Sequence, residues 1–146
     1  MIKWKRSVFK WLGCLLHTQK FSTIVFEGKL TSRDYDKDWS CILNHKPVSE
    51  KCIPGAFVDW DNTPRKQERG WFYEGMSVDK FEYYFSKLII RAKEIYKKDM
   101  IFIFAWNEWA EGGYLEPDEK NQFGCLNAVF NALKKTNELP TWEESL

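Results

Sequence analysis

Glu108 and Glu111 stand three residues apart in the stretch Ile101–Pro117, which reads IFIFAWNEWAEGGYLEP. Making or cutting a glycosidic bond calls for two carboxyl groups, one protonated to serve the departing oxygen and one ionised, about 5 to 9 Å apart. In a regular strand, residues i and i+3 point to opposite faces, so these two share one cleft only if the strand ends near Glu108 and the backbone turns. Gly112 and Gly113, just downstream, allow that turn. Trp106, Trp109 and Tyr114 offer flat faces for the C–H side of a sugar ring. Asn107 and Glu116 complete this half of the candidate binding set. The same stretch also reads as a strand end followed by a solvated acidic loop, with the tryptophans as ordinary core.

A second polar constellation, Asp59-Trp60-Asp61-Asn62-Thr63-Pro64-Arg65, follows the apolar segment Ala56–Val58. Carboxylates, an amide and a guanidinium at a strand end hold sugar hydroxyls well, and Trp60 adds a stacking plate. Trp60, Asp61, Asn62 and Arg65 are therefore candidate binding residues. The other reading is an Asx-rich turn closed by Pro64, with Asn62 bonded to its own backbone. The charged and aromatic stretch from Lys66 to Gly75 reads as a loop serving as substrate wall or lid.

The elements that must carry these loops are legible in part. Ile101–Phe104 is a continuous apolar run, the pattern of a strand buried on both faces of a parallel sheet. Polar clusters at the carboxyl ends of such strands are where α/β proteins place their chemistry. A helix is expected over residues 34–44, capped by Asp34 or Ser32 and stopped at Lys46-Pro47. A strand broken by Pro54 and Gly55 is expected from about Lys51 to Val58. Ser77 caps the clearest helix, whose Phe81, Tyr84, Phe85, Leu88, Ala92 and Ile95 recur at helical spacing, and this helix feeds Ile101 directly. Strand, loop, helix, strand is the parallel crossover unit. A last helix, about 121–135, is expected to turn Phe123, Leu126, Phe130 and Leu133 inward. Residues 21–26, FSTIVF, form a further β-prone segment.

The runs PGAFVDWDNTPR and AWNEWAEGGYLEPD resemble the carboxyl-terminal part of the WbsX-type glycosyltransferase family, also described as a glycoside hydrolase family 99-like domain. The resemblance covers roughly residues 34–135. That family is similar to the family 99 endo-α-mannosidases, (β/α)8 barrels with a Glu-Trp-X-Glu-Gly motif, matched here by Glu108, Trp109, Glu111 and Gly112. The resemblance implies that Glu108 assists attack through the substrate's 2-hydroxyl and that Glu111 is the general acid/base on the glycosidic oxygen. The hydrolases carry His where this chain has Ala110, so their sugar specificity does not carry over. Hydrolase and transferase both remain open, because they differ only in whether water or a sugar hydroxyl reaches the same centre.

Length limits what this implies. A (β/α)8 barrel takes about 250 residues, and at least about 200, whereas the chain has 146. The expected fold is therefore α/β, a partial (β/α)8 TIM-type barrel comprising the last strands and helices only. The expected organisation is a basic amphipathic segment at 1–30, the barrel part at 31–136 and an acidic tail at 137–146. The missing amino-terminal barrel half is the expected partner, and a non-catalytic remnant or carbohydrate-binding fragment is the alternative to an enzyme. Residues 1–20 carry five Lys or Arg and no acid. They read first as a barrel helix, solvated or covered, and second as a weak contact with an anionic membrane surface. A net charge of +1 excludes the global pull on nucleic acid that a strongly basic domain exerts. Cys14, Cys41, Cys52 and Cys125 form no C-x-x-C pair and have no His array nearby, so no metal and no cofactor are expected, and reduced thiols fit a cytoplasmic protein.

Overall fold

A computed structural model of the chain describes residues 30–140. The expectations for the basic segment, for the strand at 21–26 and for the end of the tail at 141–146 lie outside the described residues. The first elements are a strand β1 (Thr31–Asp34) and a helix α1 (Tyr35–Asn44). Asp34 caps this helix, accepting the Lys37 amide at 2.9 Å, and Asp36 and Asp38 sit in the first turn where the helix dipole favours negative charge. The chain continues through β2 (Gly55–Phe57), a one-turn helix α2 (Thr63–Lys66) and β3 (Trp71–Glu74). Ser77 caps α3 (Val78–Arg91) as its spacing foretells; the helix widens into a π turn at Ala92–Tyr96 and is closed by Lys97 in the left-handed conformation. β4 (Phe102–Phe104), the short antiparallel pair β5 (Asn107–Glu108) and β6 (Gly113–Tyr114), and α4 (Gly124–Lys135) complete the order.

The pairing is parallel where chemistry requires it. β2 and β4 are neighbours in the register Gly55↔Phe102 to Phe57↔Phe104, with α3 in the connection between them. β1 and β3 form a second parallel pair, Thr31↔Trp71 to Asp34↔Glu74. The arrangement is mixed α/β with short strands.

Rings hold it together. Tyr84 of α3, Trp39 of α1, Phe57 of β2 and Tyr73 of β3 stack in file, with centroid distances of 5.5, 5.2 and 4.6 Å. Tyr35 meets Trp39, Phe57 and Tyr73 edge-on, and its buried hydroxyl donates to the Val58 carbonyl at 2.9 Å. Each such pair contributes about 0.5–1.5 kcal/mol beyond the area it buries. The outer ends of the file are tied down by polar groups, since Tyr73 donates to Asp38 and Tyr84 to Asp36, which also meets Lys80.

Three expectations change. The segment Lys66–Gly75 is not all loop: Trp71–Glu74, a β-favouring aromatic run, pairs in full with β1. The strand Ile101–Phe104 is not buried on both faces. Ile101 and Ile103 pack toward α3 and α4, but Phe102 and Phe104 are 62% and 40% exposed, because these helices cover a single face. In α4 the buried stripe is Cys125, Ala128 and Ala132; Leu126 and Leu133 pack against the core as expected, while Phe123 and Phe130 are 61% and 52% exposed. Small side chains let α4 lie close against α3, and a stripe of large residues would hold the helices apart.

Ala132→Leu adds volume where the α3–α4 contact has none to spare, so it should destabilise the chain by about 1–3 kcal/mol. Urea titration followed by circular dichroism reads this directly.

Candidate functional site

Because β2 and β4 run parallel side by side, both polar constellations leave the sheet from the same edge. The ladder continues past the named strands, as the Val58 amide donates to the Phe104 carbonyl at 3.2 Å. Farther out the loops meet again, where the Asp61 amide donates to the Glu111 carbonyl at 2.8 Å. The Arg65 guanidinium forms an ion pair with the Glu111 carboxylate. The two loops are thus joined by main chain and by charge, the charged pair linking residues 46 positions apart.

The turn that the two glutamates need is present. β5 ends at Glu108, a single tight helical turn spans Trp109–Glu111, and Gly112 at φ +65° reverses the chain. A Cβ on Gly112 would stand 2.9 Å from the Asp61 nitrogen, so the absence of a side chain there is what lets the loops close on each other. The peptide bond between Phe104 and Ala105 is cis. Glu108 is half-buried, and among the described residues no hydrogen-bond or ion-pair partner engages its carboxylate.

The other candidates divide into walls and open faces. Trp60 stacks on Trp71 at 5.1 Å and leans on Phe104 at 5.7 Å, with its buried indole N–H unpaired among the described residues. Asn62 is 6% exposed, and its side-chain oxygen accepts the Trp71 amide at 2.9 Å. The Asx turn in this loop belongs to Asp61, whose carboxylate accepts the Thr63 amide at 2.8 Å. Trp106 and Asn107 are exposed, and the Trp106 carbonyl accepts the amides of Leu115 and Glu116 at 3.0 and 3.1 Å. Trp109 is half-exposed. One face lies on Tyr114, with centroids 3.9 Å apart, and its indole N–H donates to Glu116 Oε2 at 2.6 Å. The Tyr114 hydroxyl donates to Asp118 at 2.9 Å, and burial followed by this bond pushes its pKa up to about 12. Trp109 and Tyr114 line an open cleft of about 770 Å³ that also touches Asp118, Lys120 and Phe123. Neither glutamate lines it.

Two residues gain importance that spacing did not reveal. Asp59, at the carboxyl end of β2, has its pKa raised, first by burial and then by the Asp61 charge, against the opposing Trp60 amide and Lys120. Trp71, read as part of a lid, is the plate behind Trp60; its place in an aromatic run was the available signal.

The described residues are mixed α/β, with two acidic, aromatic-bearing loops that meet at the ends of neighbouring parallel strands. The chain belongs to the glycosyltransferase WbsX family, whose sequence model matches residues 5–129. The match begins well ahead of residue 34, so the basic segment is part of the family sequence. The chain is 31% identical over 124 residues to an uncharacterized protein named WxcX from Xanthomonas campestris pv. campestris strain B100, and 34% identical over 124 residues to the WxcX of a second strain. Each alignment covers 83% of this chain and 17% of the relative, so the chain spans about a sixth of the length of these curated relatives. No solved structure matches. Among the described residues, no helix is long and apolar enough to cross a membrane.

Two outcomes test this geometry. Gly112→Ala should cost about 1–3 kcal/mol, because it forces a left-handed backbone and a contact with the Asp61 main chain; a denaturant titration measures it. Asp59 has a raised folded pKa, so between its unfolded value of about 3.9 and the raised one the native state holds more protons, and stability falls as pH rises through that window. Asp59→Asn keeps an acceptor for the Trp60 amide and lacks the charge. It should therefore raise the melting temperature at pH 7 and change it little at pH 3.

Proposed function

We propose that this chain supplies the carboxyl-side part of a glycan-active centre, one that transfers a glycosyl group or hydrolyses a glycosidic bond in surface or lipopolysaccharide-type polysaccharide metabolism. The observation that carries the reading is the junction of the two loops, where the Asp61 amide meets the Glu111 carbonyl and Arg65 meets the Glu111 carboxylate. Contact between the two motifs at one strand end is what supports reading them as parts of a single centre. Membership of the WbsX family supports glycan chemistry in particular.

In this reading Glu111 moves the proton at the glycosidic oxygen, and Glu108 acts at the anomeric carbon, through the 2-hydroxyl or by stabilising positive charge there. Arg65 holds Glu111 at rest, and a substrate oxygen that draws the guanidinium away leaves the carboxylate able to take a proton and, once protonated, to give it. Trp60 and Trp71 back the site, while the exposed Trp106 and Trp109 face the sugar. Further strands, from a longer chain or a partner, complete a (β/α)8-type barrel over the exposed Phe102 and Phe104. A cytoplasmic location and a weak membrane-surface contact through residues 1–20 belong to the same reading.

The second reading, a carbohydrate-binding remnant without turnover, is favoured by the same ion pair, which occupies the Glu111 carboxylate. Incubating the protein with polysaccharide donor and acceptor, followed by mass spectrometry of the products, separates the two. Glu108→Gln and Glu111→Gln should each lower turnover by about 10²–10⁴-fold while the melting temperature holds. Unchanged turnover in both variants would sink the assigned roles, and binding without turnover by an unaltered chain that is monomeric and melts cooperatively, with no further strands supplied, would favour the remnant.

A further inference from the structure

Trp109 combines two properties rarely found together, for it is half-exposed and yet firmly held. One face of the indole lies on Tyr114 and its N–H is bonded to Glu116. Tyr114 is itself anchored through its hydroxyl to Asp118, which also accepts the Asn121 amide ahead of α4. This chain of contacts leaves one indole face free on the open cleft of about 770 Å³. Phe123, 61% exposed just before α4, lines the same cleft. Holding an aromatic side chain rigid at the surface costs conformational entropy, and that cost is recovered when a ligand stacks on a plate already in place.

We propose that this cleft is a saccharide subsite one ring removed from the Glu108/Glu111 centre, with Trp109 and Phe123 as its ring platforms and Glu119 and Lys120 as its hydroxyl contacts. The subsite rests on the glycan-active reading above and extends it from a sugar to a chain of sugars. The lining chemistry selects the occupant. Two aromatic faces suit the C–H side of a pyranose, while carboxylates and one ammonium suit its hydroxyls. Asp118 and Glu119 against Lys120 repel the phosphates of a nucleic acid. Trp109 lies in sequence between Glu108 and Glu111, yet neither glutamate lines the cleft. The proposal accordingly seats a ring there beside the reacting ring, in a substrate of two or more sugar units. Tyr114 and Glu116 act through Trp109 and are positioning residues.

Titrating the full 146-residue chain with hexasaccharides of α-linked mannose, α-linked rhamnose, α-linked glucose and β-linked N-acetylglucosamine, read by tryptophan fluorescence and calorimetry, tests the subsite. At least one should bind, and Trp109→Ala and Phe123→Ala should each weaken it about tenfold. Phe123→Ala removes an exposed ring and leaves the core intact. Trp109→Phe should restore most of the affinity. Glu116→Ala should weaken binding and alter the indole N–H signal in NMR, while Glu116→Gln, which still accepts from the indole, should recover both. Failure of all four sugars to bind the unaltered chain, or unchanged binding in Trp109→Ala and Phe123→Ala, overturns the proposal. Loss of binding in these two with full turnover in the glutamate variants would reject the catalytic roles and keep the subsite; the reverse pattern would do the opposite.

Discussion

Three paired residues on each of two parallel strands decide where every candidate group ends up. The register of β2 on β4 sets Asp59 and Ala105 at one edge, and the two loops meet across that edge at Asp61 and Glu111. A slip of one residue would send Ala56 and Val58, both buried, to the opposite face and turn Asp59 toward the side they had left. So short a ladder has little stability of its own. It is held from outside by the rings packed on Phe57 and by the Tyr35 hydroxyl on the Val58 carbonyl. The candidate site is thus positioned by a helix, α1, that contributes no group to it.

Aromatic residues do two kinds of work in this chain, and burial tells them apart. Tyr35, Trp39 and Phe81 are fully buried and serve the core. Trp60 and Trp71 stack on each other behind the loop, and Asn62 fastens the second of them through its main chain. Trp106 and Trp109 remain half-exposed at the strand end. Core and candidate site are therefore graded into each other, with a wall of stacked indoles between the packed interior and the open faces.

Much of this was legible from residue types and spacing. The caps Asp34 and Ser77 mark their helices, and the turn between Glu108 and Glu111 follows from the glycines beyond it. What escaped depends on long-range contacts. Trp71–Glu74 becomes a strand because β1 lies beside it, a partner that no local pattern announces. The run Ile101–Phe104 has the pattern of a doubly covered strand, but the described helices cover only the Ile101 and Ile103 side. In α4 the apolar spacing placed Leu126 and Leu133 correctly against the core but also pointed to Phe123 and Phe130, whereas close approach of α3 selected Cys125, Ala128 and Ala132 for burial. The Arg65–Glu111 pair joins two motifs recognised separately, and nothing in either motif names the other.

The file of rings from Tyr84 through Trp39 and Phe57 to Tyr73 crosses four separate elements. Stacked chromophores held in an asymmetric setting couple their electronic transitions, so this core carries its own optical reporter in the near ultraviolet. The helices and strands reach that signal only by docking together. Assembly of the interior is consequently visible to light without any label, as an event separate from the formation of the helices themselves.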